Sequence, residues 1–136
     1  MNEAYLEKTQ NQLIKALDHL AYSYQKVLLL PIHPEKLDEE TLETWESFAA
    51  RFSRVVDIFL MRVVKAKVKF SDPAFDGTLR DYLNQAEKIG LIENTNEWLV
   101  LRELRDIAAH EYTDQGLAFF LEKLRMHCPM LLALKK

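Results

Sequence analysis

The chain has 136 residues, of which 49% are hydrophobic and 29% charged, and this composition is typical of one globular domain with one core. Three glycines and four prolines exclude a collagen-like or broadly disordered chain. A net charge of −3 excludes a strongly basic protein that coats nucleic acid, although a local basic patch stays possible. We interpret residues 1–136 as a single domain.

The sequence predicts no targeting or membrane segment. The N-terminal run MNEAYLEKTQNQ is polar and mixed in charge. The apolar run at 27–32 is too short to span a bilayer, and Asp57 and Arg62 interrupt the run at 55–64. We therefore expect a cytoplasmic protein without membrane contact.

Hydrophobic residues recur at helical spacing along almost the whole chain, and no alternating strand pattern competes. The first helix is predicted over about 3–30, and Pro31 and Pro34 are expected to end it. Its buried stripe is predicted to contain Leu6, Leu13, Leu17, Leu20, Tyr24, Val27 and Leu28.

The second helix is predicted over about 39–68, with Asp38 or Thr41 as its N-terminal cap. Its wide apolar face contains Leu42, Trp45, Phe48, Ala49, Phe52, Val55, Val56, Phe59, Leu60 and Val63. We expect Trp45 and Trp98 to be core or interface anchors rather than platforms for stacked bases.

Three shorter helices are predicted in the second half of the chain. Thr78 with Asp81 caps a third helix over 79–89, and Gly90 fits the position after its end. Asn94 with Glu97 opens a fourth helix that runs to about 111, and 113–116 is a turn. A fifth helix follows, which Pro129 is expected to kink or end. The predicted fold is an all-α, antiparallel up-and-down bundle of about five helices.

The chain lacks the residues that most types of enzyme site require. The four histidines His19, His33, His110 and His127 have no metal-ligand spacing, and no glycine-rich phosphate loop or nucleophile elbow is present. One cysteine excludes an internal disulfide or a cysteine-rich zinc site. We therefore expect neither a metal nor a cofactor.

The segment 97–112 carries the densest set of functional groups. On a helix, Arg102, Asp106 and His110 share one face, with Arg105 and Ala109 beside them. The opposite face holds Val100, Leu101, Leu104, Ile107 and Ala108. The polar face is interpreted either as a set of ordinary surface ion pairs, worth a few tenths of a kcal/mol each, or as a functional site.

Residues 105–112, RDIAAHEY, match the pattern Arg-x-x-x-x-His-x-Tyr. With this motif on the penultimate helix of an all-helical chain, the sequence resembles the HepT-like branch of the HEPN superfamily. That branch contains the toxin partners of minimal nucleotidyltransferases. The predicted arrangement of helices resembles the family over most of the chain. Individual residues match the family only within the motif segment.

The resemblance implies a helical homodimer whose motif helices face each other across the two-fold axis. It also implies a metal-independent endoribonuclease that cuts RNA such as tRNA or mRNA. Arg105 and His110 match the catalytic pair, and Asp106 matches the polar residue that often follows the arginine. Tyr112 matches the tyrosine that the nucleotidyltransferase antitoxin adenylylates, which silences the nuclease.

The chemistry of RNA cleavage fits these residue types. Attack by the 2′-OH needs a base, an acid and positive charge on the phosphorane, and an imidazole titrates close enough to neutrality to serve as either. One chain supplies a single His110, whereas a symmetric dimer supplies two. The planar fork of Arg105 suits a phosphate better than the point charge of a lysine.

A second basic cluster lies on the second helix, at Arg51, Arg54, Arg62, Lys65, Lys67 and Lys69. Together with Arg102, Arg51 and Arg54 are weak candidates for RNA binding, although such a cluster is more often a solvated surface. Two alternatives to a nuclease stay open at this point. One is a non-catalytic subunit that binds substrate or nucleotide for a nucleotidyltransferase, and the other is a structural dimer with an incidental motif.

Overall fold

All regular structure in the computed structural model, which describes residues 3–109 and 114–135, is helical. The five helices are α1 (Glu3–Val27), α2, α3 (Leu79–Lys88), α4 (Thr95–Ala109) and α5 (Asp114–Leu132). Helix α2 consists of three consecutive segments, α-helical Glu39–Ile58, π-helical Phe59–Val64 and α-helical Lys65–Ser71. A short 3-10 turn, Pro34–Lys36, lies between α1 and α2. The prediction of an all-α bundle of about five helices is confirmed.

Hydrogen bonds between α1 and α2 establish that these two long helices are antiparallel. Arg51 Nη1 donates to Ser23 Oγ at 2.9 Å, and Arg62 Nη1 donates to Gln12 Oε1 at 2.9 Å. As the residue number rises along α2 it therefore falls along α1. The pairing is antiparallel over more than two turns, as the short link between the helices requires.

Helix α4 is antiparallel to α2 by the same reasoning. The guanidinium of Arg105 binds the carboxylate of Asp57, and the ring of Trp98 stacks on Phe59 with 4.4 Å between ring centroids. These contacts fix which face of α4 turns towards α2. The polar residues at the C-terminal end of α4 consequently lie beside the middle of α2.

One cluster of buried apolar side chains holds the helices together, and α2 runs through its centre. Trp45 and Trp98 are both buried in it, so the prediction that they are core anchors is confirmed. The largest fully buried side chains are Leu17 and Leu20 of α1, Trp45, Phe48, Phe52 and Leu60 of α2, Leu83 of α3, Leu101 of α4, and Leu121, Leu124 and Leu131 of α5.

The predicted helix caps are present. Asp38 Oδ1 accepts a hydrogen bond from the backbone of Thr41 at 2.8 Å, and Thr78 with Asp81 forms a reciprocal capping box. Asn94 Oδ1 accepts hydrogen bonds from the next turn of backbone and so caps α4. Gly90 follows α3 with a φ of +81°, a conformation that favours glycine.

The prediction of a turn at 113–116 is wrong where the structure describes that segment. The first described residues of the segment, from Asp114 on, already belong to helix α5, so Gly116 lies inside that helix. A helical glycine costs about 1 kcal/mol relative to alanine. Burial of Leu117 and Phe120, which follow Gly116, offsets that cost. The turn was predicted from local residue types alone, and these carry no information about such tertiary contacts.

Helix α5 also does not end at Pro129, because it continues to Leu132. A proline removes one backbone hydrogen bond and crowds the preceding turn. On either side of it Cys128 and Leu131 are fully buried against the core. Their packing keeps the segment helical despite the missing donor.

Two predicted core positions are exposed instead. Helix α1 ends at Val27, three residues earlier than predicted, which leaves Leu28 38% exposed beyond its last turn. Val100 is 42% exposed because Trp98 and Leu101 take the inner face of α4. No helix in the described part of the chain is both long and apolar enough to cross a membrane.

The C-terminal end of α1 is joined to α5 by Arg125. Its Nη1 donates to the carbonyl oxygens of Val27, Leu28 and Leu30 at 3.0–3.2 Å, and its guanidinium lies 5.4 Å from the ring centroid of Trp45. Carbonyl groups at the end of a helix have no partner in the helix itself. A charged donor from α5 therefore ties down the link between α1 and α2.

Replacing Arg125 by glutamine is expected to lower the free energy of unfolding by about 2 kcal/mol, because these carbonyl oxygens lose a charged donor. Urea denaturation followed by circular dichroism measures the change. Arg80→Gln is the matched control, since Arg80 is exposed on α3, and it should change stability by less than about 0.5 kcal/mol. Equal effects in the two variants would show that the Arg125 contacts are not stabilising.

Candidate functional site

A pocket of about 610 Å³ opens between α2 and the C-terminal half of α4. Its lining residues are Ala50, Ser53, Arg54, Asp57, Ile58, Met61, Arg62, Arg102 and Arg105. We call it the arginine pocket because four of these nine residues are arginines. Two of the four come from α2 and two from α4, so the packing of these two helices creates the pocket.

Arg105 is held in a fixed orientation at the wall of the arginine pocket. Its Nε donates to Asp57 Oδ1 at 2.7 Å and its Nη2 donates to Asp57 Oδ2 at 3.1 Å, which is a two-pronged ion pair. Its Nη1 donates to Asp106 Oδ1 at 3.3 Å. The hydrogen bonds and charge of Asp57 raise the pKa of Arg105 above its ordinary value, so the side chain is permanently cationic.

Asp106 lies between the two arginines of α4. Its Oδ1 accepts from Arg102 Nε at 3.3 Å as well as from Arg105. The predicted pair of Arg102 with Asp106 is therefore present. Asp106 links two guanidinium groups and holds them side by side at the pocket.

The local sequence explains why these groups share one face. Positions 102, 105 and 106 are three and four residues apart, so they project from the same side of α4. Leu101 and Leu104 are buried on the other side and lock the rotation of the helix. Arg54 and Asp57 are likewise three residues apart on α2 and face the arginine pocket together.

Sequence reasoning missed Asp57 as a member of the site. The visible signal was a carboxylate interrupting the apolar run at 55–64, three residues after Arg54. A partner 48 residues away on another helix leaves no local pattern. Only the packing of α2 against α4 shows that Asp57 binds Arg105.

The basic cluster predicted on α2 is divided by the structure. Arg54 lines the arginine pocket, together with Arg62. Arg51 does not, because its Nη1 donates to the carbonyl oxygen of His19 at 3.1 Å and to Ser23 Oγ at 2.9 Å on α1. Of the three weak candidates for RNA binding, Arg54 and Arg102 are brought together with Arg105.

The predicted catalytic His110 and the predicted modification site Tyr112 lie outside the described residues. Helix α4 is described to Ala109, so Arg105 and Asp106 are in its last described turn. The pairing of Arg105 with His110, and any contact between Asp106 and His110, stay predictions. What the structure does give is the orientation of the arginine half of the motif.

Other candidate chemistry in the described residues is limited. No group of three or more His, Cys, Asp or Glu side chains within 3–109 and 114–135 is placed to hold a metal ion. Burial raises the pKa of the Cys128 thiol to about 12, so it is not a nucleophile at neutral pH. The arginine pocket is the strongest candidate site that these residues form.

Comparison of the chain with models of protein families, with curated proteins and with solved structures finds no match. No relative therefore contributes a function, a ligand or a partner. A functional proposal has to rest on the motif at 105–112 and on the geometry of the arginine pocket.

A double-mutant cycle of Asp57→Ala and Arg105→Ala is expected to give a coupling free energy of about 1 kcal/mol. The two-pronged geometry favours the pair, but exposures of 31% for Arg105 and 41% for Asp57 allow solvent to screen it. Urea denaturation of the four proteins measures the coupling. A parallel cycle of Asp57→Ala with Arg80→Ala should give none, and equal coupling in the two cycles would argue against a specific bond.

Proposed function

We propose that this chain is a metal-independent endoribonuclease toxin of the HEPN type, related to HepT, which a nucleotidyltransferase partner silences by adenylylating Tyr112. The observation that carries the proposal is the arrangement of Arg102 and Arg105 at an open cationic pocket, at the start of an Arg-x-x-x-x-His-x-Tyr motif. An ordinary solvated helix face would not gather four arginines around one concavity.

Arg105 is suited to bind the phosphate at the cleavage position. A guanidinium has five N–H donors, and the contacts with Asp57 and Asp106 use three of them. The remaining two can donate to phosphate oxygens without breaking the ion pair. Because the two carboxylates fix its orientation, Arg105 loses little side-chain entropy when the substrate binds.

The proposed reaction is an internal transfer of the phosphate in RNA. His110 takes the proton from the 2′-OH, the 2′ oxygen bonds to phosphorus, and the bond from phosphorus to the 5′ oxygen breaks. His110 of the partner subunit gives a proton to the leaving 5′ oxygen. The products are a 2′,3′-cyclic phosphate and a 5′-hydroxyl. Arg105 stabilises the negative charge that accumulates on the phosphorane.

The proposal requires a homodimer because each chain contributes one motif imidazole. A two-fold interface brings the same patch of both copies together, so two motif helices meet around one site. Alanines occupy positions 108 and 109, the last described positions of α4, and their small size allows a close approach. In the dimer, two sets of arginines serve one polyanionic substrate.

Adenylylation of Tyr112 would silence such a site by charge and bulk. Tyr112 follows His110 by two residues and Arg105 by seven. An attached AMP carries a negatively charged phosphate that competes with RNA for the nearby guanidinium groups. The cognate nucleotidyltransferase is thus the antitoxin.

A second function is favoured by the same ion pair. Arg105 is already paired with two carboxylates, as a purely structural arginine would be. In that case the chain is a non-catalytic subunit that binds substrate or nucleotide for a nucleotidyltransferase. It would form a stable complex with that enzyme and cleave no RNA.

The purified protein is expected to cut RNA in the presence of EDTA and to leave 2′,3′-cyclic phosphate ends. Arg105→Ala and His110→Ala should each abolish cutting, because one removes phosphate binding and the other removes the proton transfers. Gel electrophoresis of the RNA products measures cutting, and circular dichroism checks the fold. Arg80→Ala is the control and should cut like the wild type. Cutting that survives both motif substitutions would reject the nuclease proposal.

Co-expression with the cognate nucleotidyltransferase is expected to add the mass of one or more AMP units to the chain. Tyr112→Phe should remove the added mass, since the phenolic oxygen is the acceptor. Intact-protein mass spectrometry measures the difference. Tyr22→Phe changes an exposed tyrosine on α1 and should leave the modification in place. Persistent AMP on Tyr112→Phe would contradict the assignment.

A further inference from the structure

The arginine pocket extends beyond the motif helix. Arg54 and Arg62 line it from α2, in addition to the two arginines of α4. Against these four guanidinium groups stand two carboxylates, Asp57 and Asp106, so the six side chains carry an excess of two positive charges. The whole chain, by contrast, has a net charge of −3. The pocket is therefore a local cationic site on an acidic protein, as a specific anion site requires.

Arg62 lies in the π-helical segment of α2, Phe59–Val64. A π-helical turn closes hydrogen bonds from i to i+5. The α2 residues that line the arginine pocket recur three and four residues apart, at positions 50, 53, 54, 57, 58, 61 and 62, and so follow one face of the helix. Such π segments occur frequently at functional sites.

Arg54 and Arg62 differ from the arginines of α4 in having no carboxylate partner among the described residues. Within the described ranges, Arg54 forms neither an ion pair nor a side-chain hydrogen bond and is exposed. Arg62 Nη1 donates to the neutral amide of Gln12 at 2.9 Å, which orients the guanidinium but leaves its charge uncompensated. An anion can bind this pair without displacing any acidic side chain that the structure describes.

We propose that Arg54 and Arg62 form a second subsite, which binds a phosphodiester of single-stranded RNA next to the phosphate held by Arg105. This inference rests on the proposed function. The described residues that line the pocket include no aromatic side chain on which a base could stack. The subsite therefore recognises the backbone and not the base, and it contributes affinity without sequence preference.

The test measures binding separately from cleavage. The probe is a fluorescein-labelled RNA dodecamer with a 2′-O-methyl group on every ribose, which removes the attacking hydroxyl. Fluorescence anisotropy gives the Kd over a series of salt concentrations. Arg54→Gln and Arg62→Gln are each expected to weaken binding severalfold and to reduce the salt slope by about 0.7, the value for one phosphate contact on a single strand. Probes of uridine and of cytidine should bind equally.

Control variants separate the subsite from general charge effects. Arg80→Gln removes the same charge outside the pocket and should leave both Kd and slope unchanged. Arg62→Lys keeps a cation that can reach Gln12 and should retain most of the slope. An unchanged slope in Arg54→Gln and Arg62→Gln overturns the inference, as does an equal loss in Arg80→Gln.

The same measurements distinguish failure of this inference from failure of the proposed function. Binding that depends on Arg54 and Arg62, in a wild-type protein that never cuts unmodified RNA, supports the subsite and rejects the nuclease. Cleavage of unmodified RNA together with binding that is indifferent to both substitutions supports the nuclease and rejects the subsite.

Discussion

The ion pair between Asp57 and Arg105 is the contact on which the candidate site depends. It joins the middle of α2 to the last turns of α4 through two parallel hydrogen bonds of 2.7 and 3.1 Å. Without it, Arg105 would be one more flexible cation on a helix surface. With it, the guanidinium has one orientation, and Asp106 aligns Arg102 beside it. A surface with these fixed donors is preorganised for an oxyanion.

The ion pair itself depends on burial elsewhere. Trp98 stacks on Phe59, two residues after Asp57 on α2, and Leu101 and Leu104 fill the core beneath α4. These apolar contacts supply most of the stabilisation, and they set the position of α4 along the axis of α2. Partly exposed charges contribute little to stability in comparison. Apolar packing thus places the polar groups, and the polar groups then define the site.

The composition of the arginine pocket shows how an acidic protein could bind the polyanionic ligand that we propose. The net charge of −3 disfavours non-specific contact with nucleic acid. In the concave region between α2 and α4, cations outnumber carboxylates. Asp57 in the pocket wall and Asp106 beside it are consistent with this arrangement, because they orient arginines while leaving N–H donors free.

The sequence by itself determined the helical fold, the caps at Asp38, Thr78 and Asn94, and the polar face of α4, because each depends on residues within a turn or two of one another. It could not determine that Arg105 binds Asp57 or that Arg54 and Arg62 share its pocket while Arg51 does not. Those facts depend on how helices that are distant in sequence pack against one another. That packing leaves no periodic signal in the chain, and burial of apolar residues in the common core decides it.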